Sequence, residues 1–101
     1  MIIYNITTKV HSSIDGAWVQ WQQKENIPEI MATGFFSSHK FFRLLEQDDS
    51  DGNTYAIQYT AINKEQYQLY LIEYDQLLRQ KAHKKWGDKT ISFHSVLEVI
   101  Q

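Results

Sequence analysis

The chain has 101 residues, a length typical of one domain, and we expect a single domain over residues 1–101. Hydrophobic residues make up 43% of it, charged residues 22%, and the formal net charge is −2, which gives no basic surface for nucleic acid. The absence of cysteine excludes disulfides, thiolate catalysis and zinc–thiolate sites. No apolar run could span a membrane and no signal-peptide pattern opens the chain, so we expect a cytoplasmic protein.

The first half of the chain predicts a strand, a helix and a second strand. Residues 2–10 alternate and are rich in β-branched types, which is typical of a strand. Trp18 and Trp21 then fall at helical spacing, so both indole rings share one helix face. Pro28 suits the first turn of a new short helix, and Gly34 is a natural stop. Residues 35–47 predict the second strand.

The second half predicts a strand, a helix and a strand. Turn-forming residues fill positions 48–53, and residues 53–61 alternate as a third strand. Asn63 with Gln66 three residues later matches a capping box, and it opens a helix whose apolar stripe includes Tyr74 and Leu78. Gly87 ends this helix, and residues 88–100 predict the last strand.

This order predicts an α+β fold, a ferredoxin-like βαββαβ sandwich. Right-handed crossovers place two helices on one face of a four-stranded antiparallel sheet, with the second and fourth strands at its edges. Pairing Phe42 with Tyr59 and Leu44 with Ile57 puts apolar residues opposite one another and turns them toward the helices. We expect the helices to cover the following side chains: Tyr4, Ile6, Phe42, Leu44, Tyr55, Ile57, Tyr59, Ile91, Phe93 and Leu97.

The opposite face of the predicted sheet mixes apolar and polar residues, among them Ile3 and Phe41. It is too apolar for a face in water and too polar for a core, so a second copy packed against it would explain the mixture. We therefore expect a homodimer, a dimeric α/β barrel. The polar residues predicted at this dimer face are Asn5, His39, Arg43, Gln58 and His94.

Several strings in the chain resemble a small bacterial family of unknown function within the dimeric α/β-barrel superfamily, which is antibiotic-biosynthesis-monooxygenase-like. The strings are Trp18-x-x-Trp21, Ile27-Pro28, Ala32-Thr33-Gly34-x-Phe36, Tyr55-x-x-Gln58-Tyr59-Thr60-Ala61 and Leu97-Glu98-Val99-Ile100. The resemblance covers nearly the whole chain and implies a homodimer. It does not imply one activity, because the fold hosts many functions.

The sequence departs from the pattern of this family at two positions. Relatives often carry His before the Ile-Pro pair and again in the second helix, where this chain has Asn26 and Tyr74. A proton-transfer or metal role for such a His is therefore in doubt here. Haem-degrading members of the superfamily use an Asn on the first strand, as at Asn5, but a strand amide bonding across a dimer interface explains Asn5 equally well.

No catalytic or metal-binding motif is present. His39 and His94 lie on the two edge strands, about 14 Å apart at normal strand spacing, too far to share a metal. The acidic turn lacks carboxylates at the first and last positions of a calcium loop, Gln47 and Gln58. We therefore predict neither a metal nor a cofactor.

Two functions remain open from the sequence. The first is a small-ligand binding or interaction module, with a small apolar ligand as candidate partner. The alternative is a cofactor-independent monooxygenase-like enzyme that uses a pocket between the helices and the sheet. In either case, the aromatic residues expected to line the pocket are Trp18, Trp21, Tyr59 and Tyr74.

Overall fold

A computed structural model of the chain describes residues 1–101 and contains one four-stranded antiparallel sheet. The strands are β1 (Ile2–His11), β2 (Ser38–Arg43), β3 (Gly52–Ala61) and β4 (Thr90–Glu98). Their order across the sheet is β2-β3-β1-β4, so β2 and β4 form the edges. The predicted ferredoxin-like topology is therefore confirmed.

Two helical arms cover one face of the sheet. The first arm consists of α1 (Asp15–Trp21), a π-helical turn (Gln22–Asn26) and α2 (Ile27–Ala32). The second arm consists of α3 (Lys64–Tyr70), a π-helical turn (Leu71–Asp75) and α4 (Gln76–Trp86). Short 3₁₀ turns, Ser12–Ile14 and Gly87–Lys89, connect the arms to neighbouring strands.

Local sequence signals set the ends of the arms. The side chain of Asn63 accepts a hydrogen bond from the backbone N–H of Gln66 at 2.9 Å, which caps α3 as predicted. Pro28 lies in the first turn of α2, where its missing N–H costs no hydrogen bond. The first arm ends at Gly34 and the second at Gly87, both with positive φ, a conformation that glycine adopts without strain.

The edge strands are shorter than predicted. β2 covers residues 38–43 instead of 35–47, and β4 covers residues 90–98 instead of 88–100. Phe36 precedes β2 and is buried against Tyr70, with ring centroids 4.7 Å apart, so its aromatic character reflects the core rather than a strand. Leu45 and Glu46 lie in the loop before β3, where Glu46 has a φ of 60°.

The predicted register of β2 is wrong by three residues. Phe42 pairs with Ala56 rather than Tyr59, and Phe41 pairs with Ile57. An odd shift exchanges the two faces of a strand, so Phe41 points toward the helices and Phe42 away from them. The Phe41 ring packs 5.9 Å from Trp18 and 5.7 Å from Tyr55, measured between centroids. These core contacts decide the register, because the loop of residues 44–51 is too long to impose one.

The predicted faces of β4 are also exchanged. Val96 pairs with Tyr4 and His94 with Ile6, so these two β4 residues share the helix-side face. Ile91, Phe93 and Leu97, expected under the helices, lie on the opposite face. The predictions for Tyr4, Ile6, Tyr55, Ile57 and Tyr59 are correct, because β1 and β3 are central strands whose large residues form the buried core.

We name the sheet surface away from the arms the open face. Its apolar side chains include Ile3 in the centre and four large residues that are each more than two-fifths exposed. These four are Phe42, Ile91, Phe93 and Leu97. Such a surface is unusual for a sheet face in water.

The register of β2 can be tested with two neighbouring substitutions. Phe41→Ala removes a ring packed on the core and should lower the free energy of unfolding by about 3 kcal/mol. Phe42→Ala removes a ring from the open face and should lower it by less than about 1 kcal/mol. Urea denaturation at several dilutions, which separates folding from association between chains, measures both. The opposite ranking would restore the register predicted from the sequence.

Candidate ligand cavity

A cavity of about 200 Å³ lies between the two helical arms and the sheet. Residues from β1, β3, β4 and both arms form its wall. All three tryptophans of the chain, Trp18, Trp21 and Trp86, belong to this wall, and the rings of Trp21 and Trp86 meet edge to face at 5.7 Å. Aromatic walls with a few polar groups are typical of small-molecule sites.

A buried carboxylate joins the sheet to the second arm at the cavity wall. The Tyr4 hydroxyl donates a hydrogen bond to Asp75 Oδ1 at 2.6 Å, and Arg79 Nη2 donates one to the Tyr4 oxygen at 2.9 Å. Arg79 Nε lies 2.7 Å from Asp75 Oδ2 and closes the cluster. Burial, and then the hydrogen bond to Asp75, raises the pKa of Tyr4 far above its usual value. Tyr4 therefore stays protonated and acts as a donor to the carboxylate.

Each helical arm contains a π-helical turn beside this cavity. Gln22 and Asn26 belong to the first turn and Asp75 ends the second, and all three line the wall. Asn26 Nδ2 donates to Gln22 Oε1 at 2.9 Å, which pairs the Asn26 amide N–H with the Gln22 carbonyl oxygen. A π turn inserts one extra residue into a helix, and such turns occur frequently at functional sites.

Two polar atoms in the cavity wall have no partner within the chain. They are the hydroxyl oxygen of Tyr59, a fully buried residue, and the indole nitrogen Nε1 of Trp86. Burial raises the pKa of Tyr59 far above its usual value, so the hydroxyl is present as a neutral O–H. A buried polar group without a hydrogen bond costs about 1–3 kcal/mol, so each of these two groups lowers the stability of the fold.

His94, on the helix-side face of the sheet, lines the cavity and is half-buried. Its ring centroid lies 5.8 Å from that of Tyr4. Burial, and then the positive charge of Arg79, lowers the pKa of His94 below its usual value. The imidazole is therefore uncharged at neutral pH, and the ion pair of Asp75 and Arg79 leaves no net charge beside it.

A family model described as "Domain of unknown function (DUF4286)" matches residues 1–100. The chain belongs to this family. No curated protein matches the sequence significantly.

Solved structures similar to this member of the DUF4286 family share its fold. A dimeric ferredoxin-like protein from an uncultured marine organism has a TM-score of 0.77 and 7% identity, covering 99% of this chain and 95% of that one. SnoaB, a cofactor-independent oxygenase from Streptomyces nogalater, has a TM-score of 0.70 and 15% identity, covering 99% and 93%. A Deinococcus radiodurans protein assigned as an antibiotic biosynthesis monooxygenase has a TM-score of 0.68 and 15% identity, covering 100% and 94%. At these identities the likeness shows a shared fold, and it confirms the predicted ferredoxin-like fold.

The structure brings together three of the four aromatic residues predicted for the pocket. Trp18, Trp21 and Tyr59 line the cavity, and their role in binding a ligand stays a prediction. Tyr74 lies outside it, against Phe35 at 5.9 Å and Tyr70 at 6.3 Å between ring centroids. The regular helical period placed Tyr74 inside, but the π turn shifts the phase by one residue and brings Asp75 to the wall instead.

The five polar residues predicted for one dimer face do not share a face. Asn5 and Gln58 are cross-strand partners on the open face. His39 and Arg43 lie on the other face of the edge strand β2, and His94 lines the cavity, because the registers of β2 and β4 differ from those predicted. Asn5 Nδ2 donates to Thr7 Oγ1 at 3.1 Å and to Ser95 Oγ at 3.3 Å, so its amide N–H groups have partners within the chain.

The sequence did not predict the Tyr4–Asp75–Arg79 cluster or the unpartnered indole N–H of Trp86. The signal for the cluster was an Asp–Arg pair four residues apart on the second helix, which is a common helix-surface ion pair. No group of three or more His, Cys, Asp or Glu side chains is arranged to hold a metal ion. No helix has the length and apolarity needed to cross a membrane.

Tyr4 and Tyr59 are direct cross-strand partners, so the same substitution at each tests the hydrogen-bond assignments. Tyr4→Phe leaves Asp75 and Arg79 without a hydroxyl partner and should lower the free energy of unfolding by about 1–3 kcal/mol. Tyr59→Phe removes an unpartnered hydroxyl and should leave stability unchanged or raise it by up to about 1 kcal/mol. Chemical denaturation gives both values. Equal destabilisation by the two substitutions would show that the Tyr59 hydroxyl has a partner.

Proposed function

We propose that this protein is a homodimeric α/β-barrel protein that binds a small, largely apolar molecule in the cavity between the helical arms and the sheet. The observation that carries the proposal is a cavity of about 200 Å³ whose wall combines three tryptophan rings with a few polar side chains. A purely structural core would fill this space, because protein interiors are closely packed. A bound molecule supplies the missing contacts.

The size of the cavity supports a ligand of low molecular mass. An apolar cavity of about 150 Å³ engineered into another protein binds benzene, so about 200 Å³ suits a compound somewhat larger than one ring. Ligands of this size gain affinity mainly by leaving water for an apolar wall. The three tryptophan rings supply such a wall.

A substitution that fills the cavity tests this function. Ala82 lines the cavity on α4, whereas Ala17 is exposed on α1. Ala82→Phe should abolish binding of any cavity ligand, because the added ring occupies the space, and Ala17→Phe should leave binding unchanged. The measurement is ligand-observed NMR with a fragment library of neutral, acidic and basic compounds on the three proteins.

The proposed function fails if no fragment binds the wild-type protein. It also fails if the fragments that bind do so equally well to the Ala82→Phe variant, since the binding place would then lie elsewhere.

Homodimer formation through the open face is part of the proposal. The exposed residues Phe42, Ile91, Phe93 and Leu97 give this face an apolar character that a second copy would bury. Asn5 and Gln58 lie in its centre and would meet their symmetry equivalents or remain paired within the sheet. The marine ferredoxin-like protein of similar fold is dimeric, which supports the same arrangement here. A cytoplasmic location stays a prediction from the sequence.

Two charge substitutions test the dimer. Phe93→Asp places a charge in the proposed interface and should convert the dimer to a monomer, because an unpaired buried charge is costly. Ile72→Asp makes a similar change at an exposed site on the second arm and should leave the dimer intact. Sedimentation equilibrium should give twice the chain mass of 12.0 kDa for the wild type and for Ile72→Asp. A monomeric wild type at micromolar concentration would overturn the proposed dimer.

A second candidate function is that of a cofactor-independent monooxygenase-like enzyme using the same cavity. One observation favours it: His94 lines the cavity as an uncharged imidazole, and a neutral imidazole can take a proton from a bound acidic group. Oxygen uptake in the presence of compounds that bind the cavity separates the two candidates. Uptake that is lost in His94→Gln while binding persists would favour the enzyme.

A further inference from the structure

The cavity opens to solvent between α4 and the edge strand β4. Arg79, His83 and Ser92 are the exposed residues of its wall, and the other wall residues are buried or partly buried. Arg79 and His83 are four residues apart on α4, so they lie on one side of that helix. Ser92 belongs to β4, across the gap from α4. We name these three residues the mouth of the cavity.

The helix-side face of β4 is polar where it borders the mouth. Thr90, Ser92 and His94 alternate along this face, and all three line the cavity. A sheet face that is covered by helices normally carries apolar residues, because it belongs to the core. Three polar residues in succession therefore indicate that a polar group, rather than packed apolar atoms, lies next to this edge of the sheet.

The ion pair of Asp75 and Arg79 turns its positive end toward the mouth. The side chain of Arg79 is 47% exposed, whereas that of Asp75 is 12% exposed. Arg79 contacts Asp75 through Nε and Tyr4 through Nη2, and the two N–H groups of its Nη1 have no partner within the chain. An anion at the mouth can therefore take hydrogen bonds from Nη1 while Asp75 keeps its own contact with the guanidinium.

The segment that forms the helical side of the mouth is basic. Residues 79–89 contain five of the ten Lys and Arg residues of the chain, and Asp88 is their one acidic residue, although the chain has a net charge of −2. Lys84, Lys85 and Lys89 form no ion pair within the chain. Such charges attract an oppositely charged ligand over about 8 Å at physiological ionic strength. This side of the molecule therefore favours the approach of an anion.

We propose that the cavity binds an amphipathic carboxylate, which enters between α4 and β4 and leaves its carboxylate at the mouth, on Arg79 and His83. This inference rests on the proposed ligand-binding function and adds the chemical class and the orientation of the ligand. The apolar body lies among the tryptophan rings, and about 200 Å³ admits one ring with a short chain. The chain carries the carboxylate out to the guanidinium, whose planar donors suit a planar carboxylate.

Three probes with the same ring and chain test the charge of the ligand. They are 3-phenylpropanoate, 3-phenylpropanamide and 3-phenylpropylamine, which are negative, neutral and positive at pH 7. Each is titrated into ¹⁵N-labelled protein, and the indole N–H signals report on the ring, because all three tryptophans line the cavity.

Two substitutions on α4 test the position of the carboxylate. His83→Glu places a negative charge at the mouth. Gln80→Glu places the same charge at an exposed position of the same helix that does not line the cavity, and it is the matched control. Both residues are exposed, so both variants should fold like the wild type.

We expect 3-phenylpropanoate to bind the wild-type protein at least fivefold more tightly than 3-phenylpropylamine, with the amide between them. His83→Glu should weaken binding of the carboxylate about fivefold and strengthen binding of the amine, because the added charge repels the first and attracts the second. Gln80→Glu should change either affinity less than twofold. Raising the salt concentration should reduce the difference between the carboxylate and the amine.

Two results overturn the chemical class. One is binding of the amine as tightly as the carboxylate, or failure of all three probes to bind. The other is an equal effect of His83→Glu and Gln80→Glu on the carboxylate, which would show that its charge does not lie at the mouth. In either case a library fragment whose binding is lost in Ala82→Phe preserves the proposed function. If no library fragment binds either, the function fails together with the class.

Discussion

The buried carboxylate of Asp75 is the constraint on which the arrangement of the arms depends. It accepts a hydrogen bond from Tyr4 on the central strand β1, and it forms an ion pair with Arg79, which lies one turn later in α4. An aspartate whose side chain is only 12% exposed must be paired in this way, because desolvation of an unpaired charge is costly. The second arm is thereby fixed over the sheet at a defined height, and the space left beneath it is the cavity.

The π turns are what bring polar side chains to the cavity. In a regular helix Asp75 would lie farther from the cavity, and the aromatic ring of Tyr74 would form part of the wall. The extra residue of the π turn brings Asp75 inward instead, and Gln22 and Asn26, which also line the cavity, belong to the π turn of the first arm. The two halves of the chain thus use one backbone device on opposite sides of the same cavity, although they share no visible sequence repeat.

The sequence predicts the central part of this fold well and its edges poorly, for a physical reason. In β1 and β3 the large alternating residues are buried or, in the case of Ile6, partly buried against the core. The pattern and the face therefore agree, as for Tyr4 and Tyr59. In β4 the large apolar residues such as Phe93 face away from the helices, while Ser92 and His94 face the cavity. Alternation shows that a strand has two different faces. It cannot show which of them meets the helices when one face carries large apolar residues and the other lines a cavity. The register of β2 failed for the same reason, since Phe41 and Phe42 are chemically equal.

The candidate site could be predicted where it depends on helix spacing before a π turn or, as for Tyr59, on alternation in a central strand. Trp18 and Trp21 precede the first π turn and were placed correctly, whereas Tyr74 lies within the second and was not. The partners of Asp75 come from residues more than seventy positions away in the case of Tyr4, and no local pattern encodes such a contact. Trp86, in the last turn of the second arm, gave no sign in the sequence that its indole N–H would be buried without a partner.

On the proposed function, the cavity between the arms and the sheet couples ligand supply to the lifetime of the protein in the cell. A molecule that fills this cavity would bind the folded chain and not the unfolded one, so it would raise the free energy of unfolding in proportion to the logarithm of its concentration. Proteases that degrade transiently opened chains respond to that free energy. Cells rich in the ligand would therefore accumulate this protein, and cells depleted of it would clear the protein faster, without any change in its synthesis.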